Sequence, residues 1–209
     1  MTRDKRSQEP GLDTSVASAA RVYDCLLGGK NNFPGGNDLK VGPSGRNHGG
    51  MVMVREVKVD EWELLRDVRL AALREAPYAF GSSYDREAPF TEEQWRGRLS
   101  SRSVTFFAEI AGVVEPAGIA GVYEEDGAAH LVSMWVRPAA RGQGVGEALV
   151  TATADWAKAS GYDTLYLWVT DTNPAAVGLY QRCGFIPTGE RQPLPSDPSL
   201  QESQMRREL

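Results

Sequence analysis

The feature that most restricts this chain is a turn, Arg141-Gly142-Gln143-Gly144-Val145-Gly146, set between two regular segments. Before it lies the strand-like run His130–Val136. After it, Val145, Leu149, Ala152 and Trp156 recur at helical spacing, which predicts a helix over about Gly146–Ser160 ended by Gly161. Alternate glycines let the backbone adopt positive φ and approach a ligand closely. Successive N–H groups at the helix start make an anion site, and the helix dipole adds to it. Arg141 can add a charge-assisted contact to a phosphate. The spelling excludes two relatives of this turn. A nucleotide P-loop ends in Gly-Lys-Ser/Thr, whereas here Gly146 is followed by Glu147; the dinucleotide fingerprint G-x-G-x-x-G fails at the same residue. A tight strand-to-helix connection with no ligand uses the same glycines equally well.

The elements around the turn describe a mixed α/β chain. Val52, Val54 and Val57 mark a first strand. Asp60 and Glu63 suggest a capping box opening a helix over Asp60–Arg74, with Leu64, Val68 and Ala71 or Ala72 on its apolar face. Thr91 and Gln94 form a second capping box for a helix over Glu92–Leu99, with Phe90 and Trp95 as its hydrophobic staple. Three close runs, Val104–Ile110, Ala117–Tyr123 and His130–Val136, with Asp126-Gly127 among the turn signals, predict an antiparallel meander. Leu165–Val169 reads as a strand. Asn173-Pro174 opens another helix, with Asn as N-cap and Pro in the first turn, and Gly184 closes it. Phe185–Thr188 and Gln204–Leu209 read as final strands joined by a proline-rich loop, Arg191–Pro198.

The first fifty residues differ. Eight glycines fall between Gly28 and Gly50 among few large apolar residues, a composition that cannot offset its ordering entropy. Residues 1–50 are therefore expected to be a flexible extension, with one short helix over Val16–Leu27. They carry a formal +2, leaving −7 on Met51–Leu209. The whole-chain charge of −5 gives no basic footprint for nucleic acid. No apolar run reaches the roughly 18 residues of a membrane span, and no secretory signal opens the chain. Cys25, Cys183, His48 and His130 lack metal-ligand spacing. The expectation is a metal-free cytoplasmic protein with reduced thiols, a monomer or homodimer, with no nucleic-acid or membrane partner.

Two motifs together carry a resemblance. Val136-Arg137-Pro138…Arg141-Gly142-Gln143-Gly144-Val145-Gly146 resembles the acetyl-CoA-binding motif R/Q-x-x-G-x-G/A of the GNAT N-acetyltransferases. The run Asn173-Pro174-Ala175-Ala176-Val177-Gly178-Leu179-Tyr180-Gln181-Arg182-Cys183-Gly184-Phe185 is similar to that family's second motif, N-x-x-A-x-x-x-Y-x-x-x-G-F. The resemblance covers residues 52–209. It implies an acyl-CoA N-acyltransferase fold: a central, mixed, mostly antiparallel sheet, flanked by helices and splayed between the strand ending near Val136 and Leu165–Val169. It implies acetyl-CoA as co-substrate, with pantetheine paired to backbone groups of Met134, Trp135 and Val136 and pyrophosphate on Arg141, Gly142, Gln143, Gly144, Val145 and Gly146. Asn173 helps hold the pantetheine, and Tyr180 is the general acid for the departing thiolate. The acceptor is expected to be a small-molecule primary amine that attacks directly. Acetylation of a peptide or protein, or plain acyl-CoA binding without catalysis, are the other readings. Tyr78–Ser83 resembles a stretch of small-molecule members, which makes Phe80, Ser82 and Ser83 acceptor-site candidates.

The chain departs from the family where many members carry a glutamate: His130–Trp135 has none. Glu109, Glu124 and Glu125 lie nearby without a reason to choose among them, and His130 reads as structural. No base is named; one acting through water fits the gap. Separately, Leu12–Leu39 resembles the opening of an actinobacterial S-adenosylmethionine-dependent methyltransferase family, whose core does not follow. A fusion remnant, or a true start at Met51 or Met53, accounts for it.

Overall fold

A computed structural model describes residues 51–99 and 103–209. The expected extension, its helix, Cys25 and the methyltransferase-like run lie outside the described residues. The strands are β1 (Val52–Glu56), β2 (Ser103–Ile110), β3 (Gly118–Glu125), β4 (Ala128–Val136), β5 (Thr164–Thr170), β6 (Ile186–Leu194) and β7 (Asp197–Glu208). The helices are α1 (Trp62–Glu75), α2 (Tyr84–Glu87), α3 (Glu92–Gly97), α4 (Val145–Ala159) and α5 (Pro174–Arg182). The strands form one sheet in the order β1-β2-β3-β4-β5-β7-β6. Every neighbouring pair is antiparallel except β4 and β5. This is the mixed, mostly antiparallel sheet expected.

Both faces of the sheet are covered, because each strand alternates side chains between two layers. On one face Leu131, Leu165, Leu167 and Met205 pack with Val145, Leu149 and Tyr180. On the other, Phe107, Ile119 and Trp135 pack with Leu65, Val68, Ala72, Leu73 and Trp95. The Thr91 capping box forms as read: the Gln94 N–H donates to Thr91 Oγ1, and the Thr91 N–H donates to Gln94 Oε1 at 2.9 Å. The staple closes with the Phe90 and Trp95 rings 5.7 Å apart.

Two readings of the sequence need correction. Asp60 does not cap α1. A 3₁₀ turn over Val59–Glu61 precedes the helix, and the Lys58 N–H donates to Glu61 Oε2 at 2.9 Å. The buried face runs through Leu65, Val68, Arg69, Ala72 and Leu73 rather than Leu64. The apolar pattern hid this phase because a charged residue, Arg69, sits in the middle of the inward face. The second correction concerns Arg191–Pro198. Most of it is strand: β6 and β7 form a long hairpin, with Pro187 opposite Met205 and Pro193 opposite Gln201. Prolines are tolerated because β6 is the edge strand, where a missing N–H breaks no ladder on its outer side.

Candidate active site

The sheet opens in the middle. β4 and β5 pair only at Ala129–Leu165, His130–Tyr166 and Leu131–Leu167. Beyond Leu131, β4 turns away. Its register against β3 shifts between Ile119 and Gly121, a β-bulge around Ser133, whose φ is +57°. A non-glycine residue there costs on the order of 1 kcal/mol and is held by its surroundings. Part of that hold is visible: Arg69 Nη1 lies 3.4 Å from Ser133 Oγ. The opening therefore exposes backbone of Val132–Val136 on one side and of Trp168–Thr170 on the other.

The glycine turn lies at the wide end of this opening. Gly142 and Gly144 have φ of +75° and +82°, and no atom lies within 4 Å of where a Cβ would stand at either. Gly144 is the N-cap of α4, and no side chain caps that helix. The first-turn N–H groups thus face open space, which leaves room for a diphosphate. Gly146 has a packing role: a Cβ would sit 3.0 Å from Leu179, so the glycine lets α4 and α5 approach. Arg141 is already engaged, with Nη2 at 2.6 Å from Glu75 and Nε at 3.0 Å from the Val136 carbonyl. Glu75 also accepts from Trp135 Nε1 at 2.9 Å. Arg141 thereby ties the end of β4 to α1 across the turn. Gln143 Nε2 donates to the Ala139 carbonyl.

On the α4 and α5 side, Asn173 Oδ1 accepts from the Ala176 N–H at 3.1 Å, so its carbonyl is spent on capping α5 and its amide N–H₂ remains to donate. Tyr180 is buried, with its ring edge-on to Phe185 at 5.8 Å. Burial, with Cys183 adding, pushes its phenol well above the ordinary range, so it keeps its proton at neutral pH.

The opposite face holds a cavity of about 360 Å³ over the β4–β5 junction. Its wall includes Phe80, Tyr123, His130, Ser133, Tyr166, Trp168, Gln192 and Glu202. Of the acceptor candidates, Phe80 lines it. Ser82 and Ser83 do not: Ser82 is buried beside it, and Ser83 caps α2 by accepting from the Arg86 N–H. The Ser196 hydroxyl, at the tip of the β6–β7 hairpin, donates to the Phe80 carbonyl and draws the hairpin over the cavity beside Pro195.

Three ionisable features dominate here. Arg69 is clamped by Glu87, at 3.0 Å and 2.8 Å, and Glu87 also pairs with Arg98. Burial opposes the Glu87 charge, but the two guanidinium groups win and hold its carboxyl far below the usual range. His130 stacks between Tyr123 and Tyr166, at 5.1 Å and 5.6 Å, with a buried Nδ1 that has no partner. Burial lowers its pKa to about 4, against a smaller upward pull from Asp126, so the ring is neutral at physiological pH. Glu202 is 7% exposed, and its Oε1 accepts from Gln192 Nε2 at 2.6 Å. Burial raises its pKa to about 6, with the Gln192 hydrogen bond pulling the other way. That value suits a group that accepts a proton near neutrality.

Comparison with known proteins places this architecture. The model of the acetyltransferase (GNAT) family matches residues 65–185, more than half of the chain. The chain belongs to the GNAT acetyltransferase family. A GCN5-related N-acetyltransferase from Kribbella flavida superposes with a TM-score of 0.57 at 27% identity, over 76% of this chain and 98% of that one. A GNAT acetyltransferase from Streptococcus pneumoniae shares the fold at a TM-score of 0.62 and 22% identity, over 76% and 99%. Among curated proteins, a mycothiol acetyltransferase from Streptomyces avermitilis is 39% identical over 64 residues, 31% of this chain. An uncharacterized N-acetyltransferase from Bacillus subtilis, YobR, is 37% identical over 65 residues, also 31% of this chain. The matches span only 21% and 26% of the length of those two relatives.

Within this GNAT fold, the structure separates the residues singled out from the sequence. The turn residues and Met134–Val136 border the opening, Asn173 and Tyr180 lie on the cap and buried face of α5, and Phe80 lines the cavity. The GNAT motifs did not point to Glu202, whose signal was concealed by the expectation that the last strand starts at Gln204. The alternation Glu202, Gln204, Arg206 on one face, with Met205 on the other, could have revealed it. Of the three glutamates noted near the strands, Glu109 pairs with Arg55 at 2.7 Å and Glu124 accepts from the Gly127 N–H, while Glu125 lines the cavity at the β3–β4 turn and accepts from the Tyr123 hydroxyl. Among the described residues no group of His, Cys, Asp or Glu is placed to hold a metal ion, and no helix is long and apolar enough to cross a membrane.

Proposed function

We propose that this GNAT chain transfers an acetyl group from acetyl-CoA to a primary amine of a small molecule by direct attack. The observation that carries the reading is the opening between β4 and β5, with an anion-suited glycine turn at one end and a cavity over the other. Acetyl-CoA supplies the activated thioester. Gly142, Gly144 and the first turn of α4 would hold the pyrophosphate, and the backbone of Met134–Val136, on the edge that β5 leaves unpaired, the pantetheine. Residues beside the Ser133 bulge have N–H groups turned out of the β3 ladder, where one can stabilise the oxyanion.

The amine enters from the cavity and must lose a proton to attack. Glu202 is the residue we assign as proton acceptor, directly or through one water. The new C–N bond forms as the C–S bond breaks, and Tyr180, kept protonated by burial, gives its proton to the departing thiolate. The cavity favours a small acceptor over a peptide: its volume lies in the range of small-molecule sites, and the Ser196–Phe80 link holds the hairpin tip beside it, where it narrows the room for an extended chain.

An amine library assayed with acetyl-CoA, reading released thiol, tests this. Turnover with compact amines and none with peptide N-termini is expected. Failure of every amine, with acetyl-CoA binding intact by calorimetry, would overturn it; preference for peptides would install the protein-acetylating reading.

A further inference from the structure

The cavity runs along β4 from the bulge to the β3–β4 turn, and its two ends are chemically alike. Glu202 and Ser133 mark the end near the opening. Glu125 and Asp126 mark the other, at the hairpin turn, where Glu125 pairs across to Ala128. Ala128 and Ser133 are five residues apart on β4, roughly 16 Å at the usual rise of a strand. Between them lies a floor of stacked rings, Tyr123, His130 and Tyr166, with Trp168 beyond.

The charges lining the cavity are three carboxylates against Arg69. The guanidinium of Arg69 is taken up by Glu87 and lies under the Phe80 ring at 4.6 Å, which leaves it poorly placed to receive an anion. The neutral His130 adds no positive charge, and its buried, unpartnered Nδ1 is a polar atom in the floor between the two ends. A ligand lying along this floor meets π faces in the middle and carboxylate at each end. π faces and carboxylates both attract cations.

Building on acetyl transfer to an amine, we infer that the acceptor carries a second cationic group, which Glu125 and Asp126 hold at the turn while the amine to be acetylated lies near Ser133 and Glu202. The acceptor class is then a diamine or a longer amine of that kind, not an amino acid: a carboxylate at the distal end would face Glu125 and Asp126.

The test compares acceptors matched in length: an α,ω-diamine series, the alkylamines, the amino alcohols and the ω-amino acids, by released thiol with acetyl-CoA. The best diamine is expected to exceed its alkylamine in kcat/KM by about fivefold, from charge contacts to the half-buried Glu125 and the exposed Asp126. The ω-amino acid is expected to be the poorest. In the Glu125→Gln, Asp126→Asn double variant the diamine-to-alkylamine ratio falls toward one. Asparagine tolerates the φ of +50° at position 126, so the turn persists. A diamine no better than its alkylamine, an ω-amino acid as good as the diamine, or a ratio unchanged in the double variant overturns the inference while leaving acetyl transfer standing. If no amine releases thiol, acetyl transfer to amines fails instead. Calorimetry of the diamine against the ω-amino acid then decides the cavity alone: selective diamine binding supports the inference, and equal or no binding overturns it.

Discussion

Replacing Glu202 with glutamine should make the protein more stable and less active, and the stability change should depend on pH. Burial lifts the Glu202 pKa from an ordinary 4.5 to about 6. Ionising it is therefore harder in the folded chain than in the unfolded one. At 1.36 kcal/mol per tenfold, the difference is about 2 kcal/mol. With the folded value raised, the favourable contribution is complete below about pH 4.5 and is lost as pH rises through about 6. Above pH 7 the native protein carries the whole penalty. Glutamine keeps an acceptor for Gln192 and cannot ionise, so it escapes the penalty. Denaturant titrations of both proteins at a series of pH values should show the stability difference shifting by about 2 kcal/mol in favour of Glu202→Gln between acid and neutral pH. Other groups, among them Glu87 and His130, titrate in both proteins and cancel. In the same variant kcat/KM should fall by about two to four powers of ten, the usual worth of a general base. The acidic limb of the rate profile, centred near pH 6 in the parent, should disappear. A pH-independent stability difference would refute the burial argument. An unaltered rate would remove Glu202 as the proton acceptor.

Three further outcomes follow from the geometry. Gly144→Val imposes a β-branched residue at φ +82° and puts a side chain into the open space before α4; it should weaken acetyl-CoA binding by calorimetry, and unchanged affinity would show that no phosphate is held there. Tyr180→Phe removes the hydroxyl proposed as the acid and leaves the ring packed on Phe185; thiol release should slow while acetyl-CoA affinity holds, and an equal rate would dismiss it as the acid. Glu87→Ala strands the buried guanidinium groups of Arg69 and Arg98; it should cost about 3–5 kcal/mol in denaturant unfolding, and a loss below about 1 kcal/mol would mean that solvent reaches the cluster.

What could be read from the sequence depended on whether an element's own residues announced it. The α3 capping box and staple are local, so Thr91, Gln94, Phe90 and Trp95 were enough. The meander was legible because three strand-like runs follow one another closely with turn signals between them. The phase of α1 was not, since Arg69 is neutralised by Glu87, which lies 18 positions away and is itself shared with Arg98, 29 positions from Arg69; neither leaves a mark near α1. Nor was the β6–β7 hairpin. Its prolines are breakers in a central strand and acceptable at an edge, and edge position is a property of the whole sheet. Glu202 falls between the loop read as Arg191–Pro198 and the strand read from Gln204: a residue assigned to no strand carries no face, and without a face it could not be seen to point into the cavity.

That last dependence shows how the fold divides the chemistry. Around the β4–β5 junction, alternation sends Leu131, Leu167 and Met205 toward α4 and α5, and His130, Tyr166, Trp168, Glu202 and Gln204 toward the cavity. The two candidate proton-handling groups thus stand on opposite faces of one sheet, Tyr180 with the first set and Glu202 with the second. Proton transfers on both faces can serve a single reaction only where the sheet is open, and it opens just past the three paired rows, where β4 bulges at Ser133. A slip of one residue in β7 would turn Glu202 away from the cavity and bring Met205 into it. Met205 is buried against the first set and paired with Leu167, so the apolar core that stabilises the fold also fixes which face receives the carboxylate.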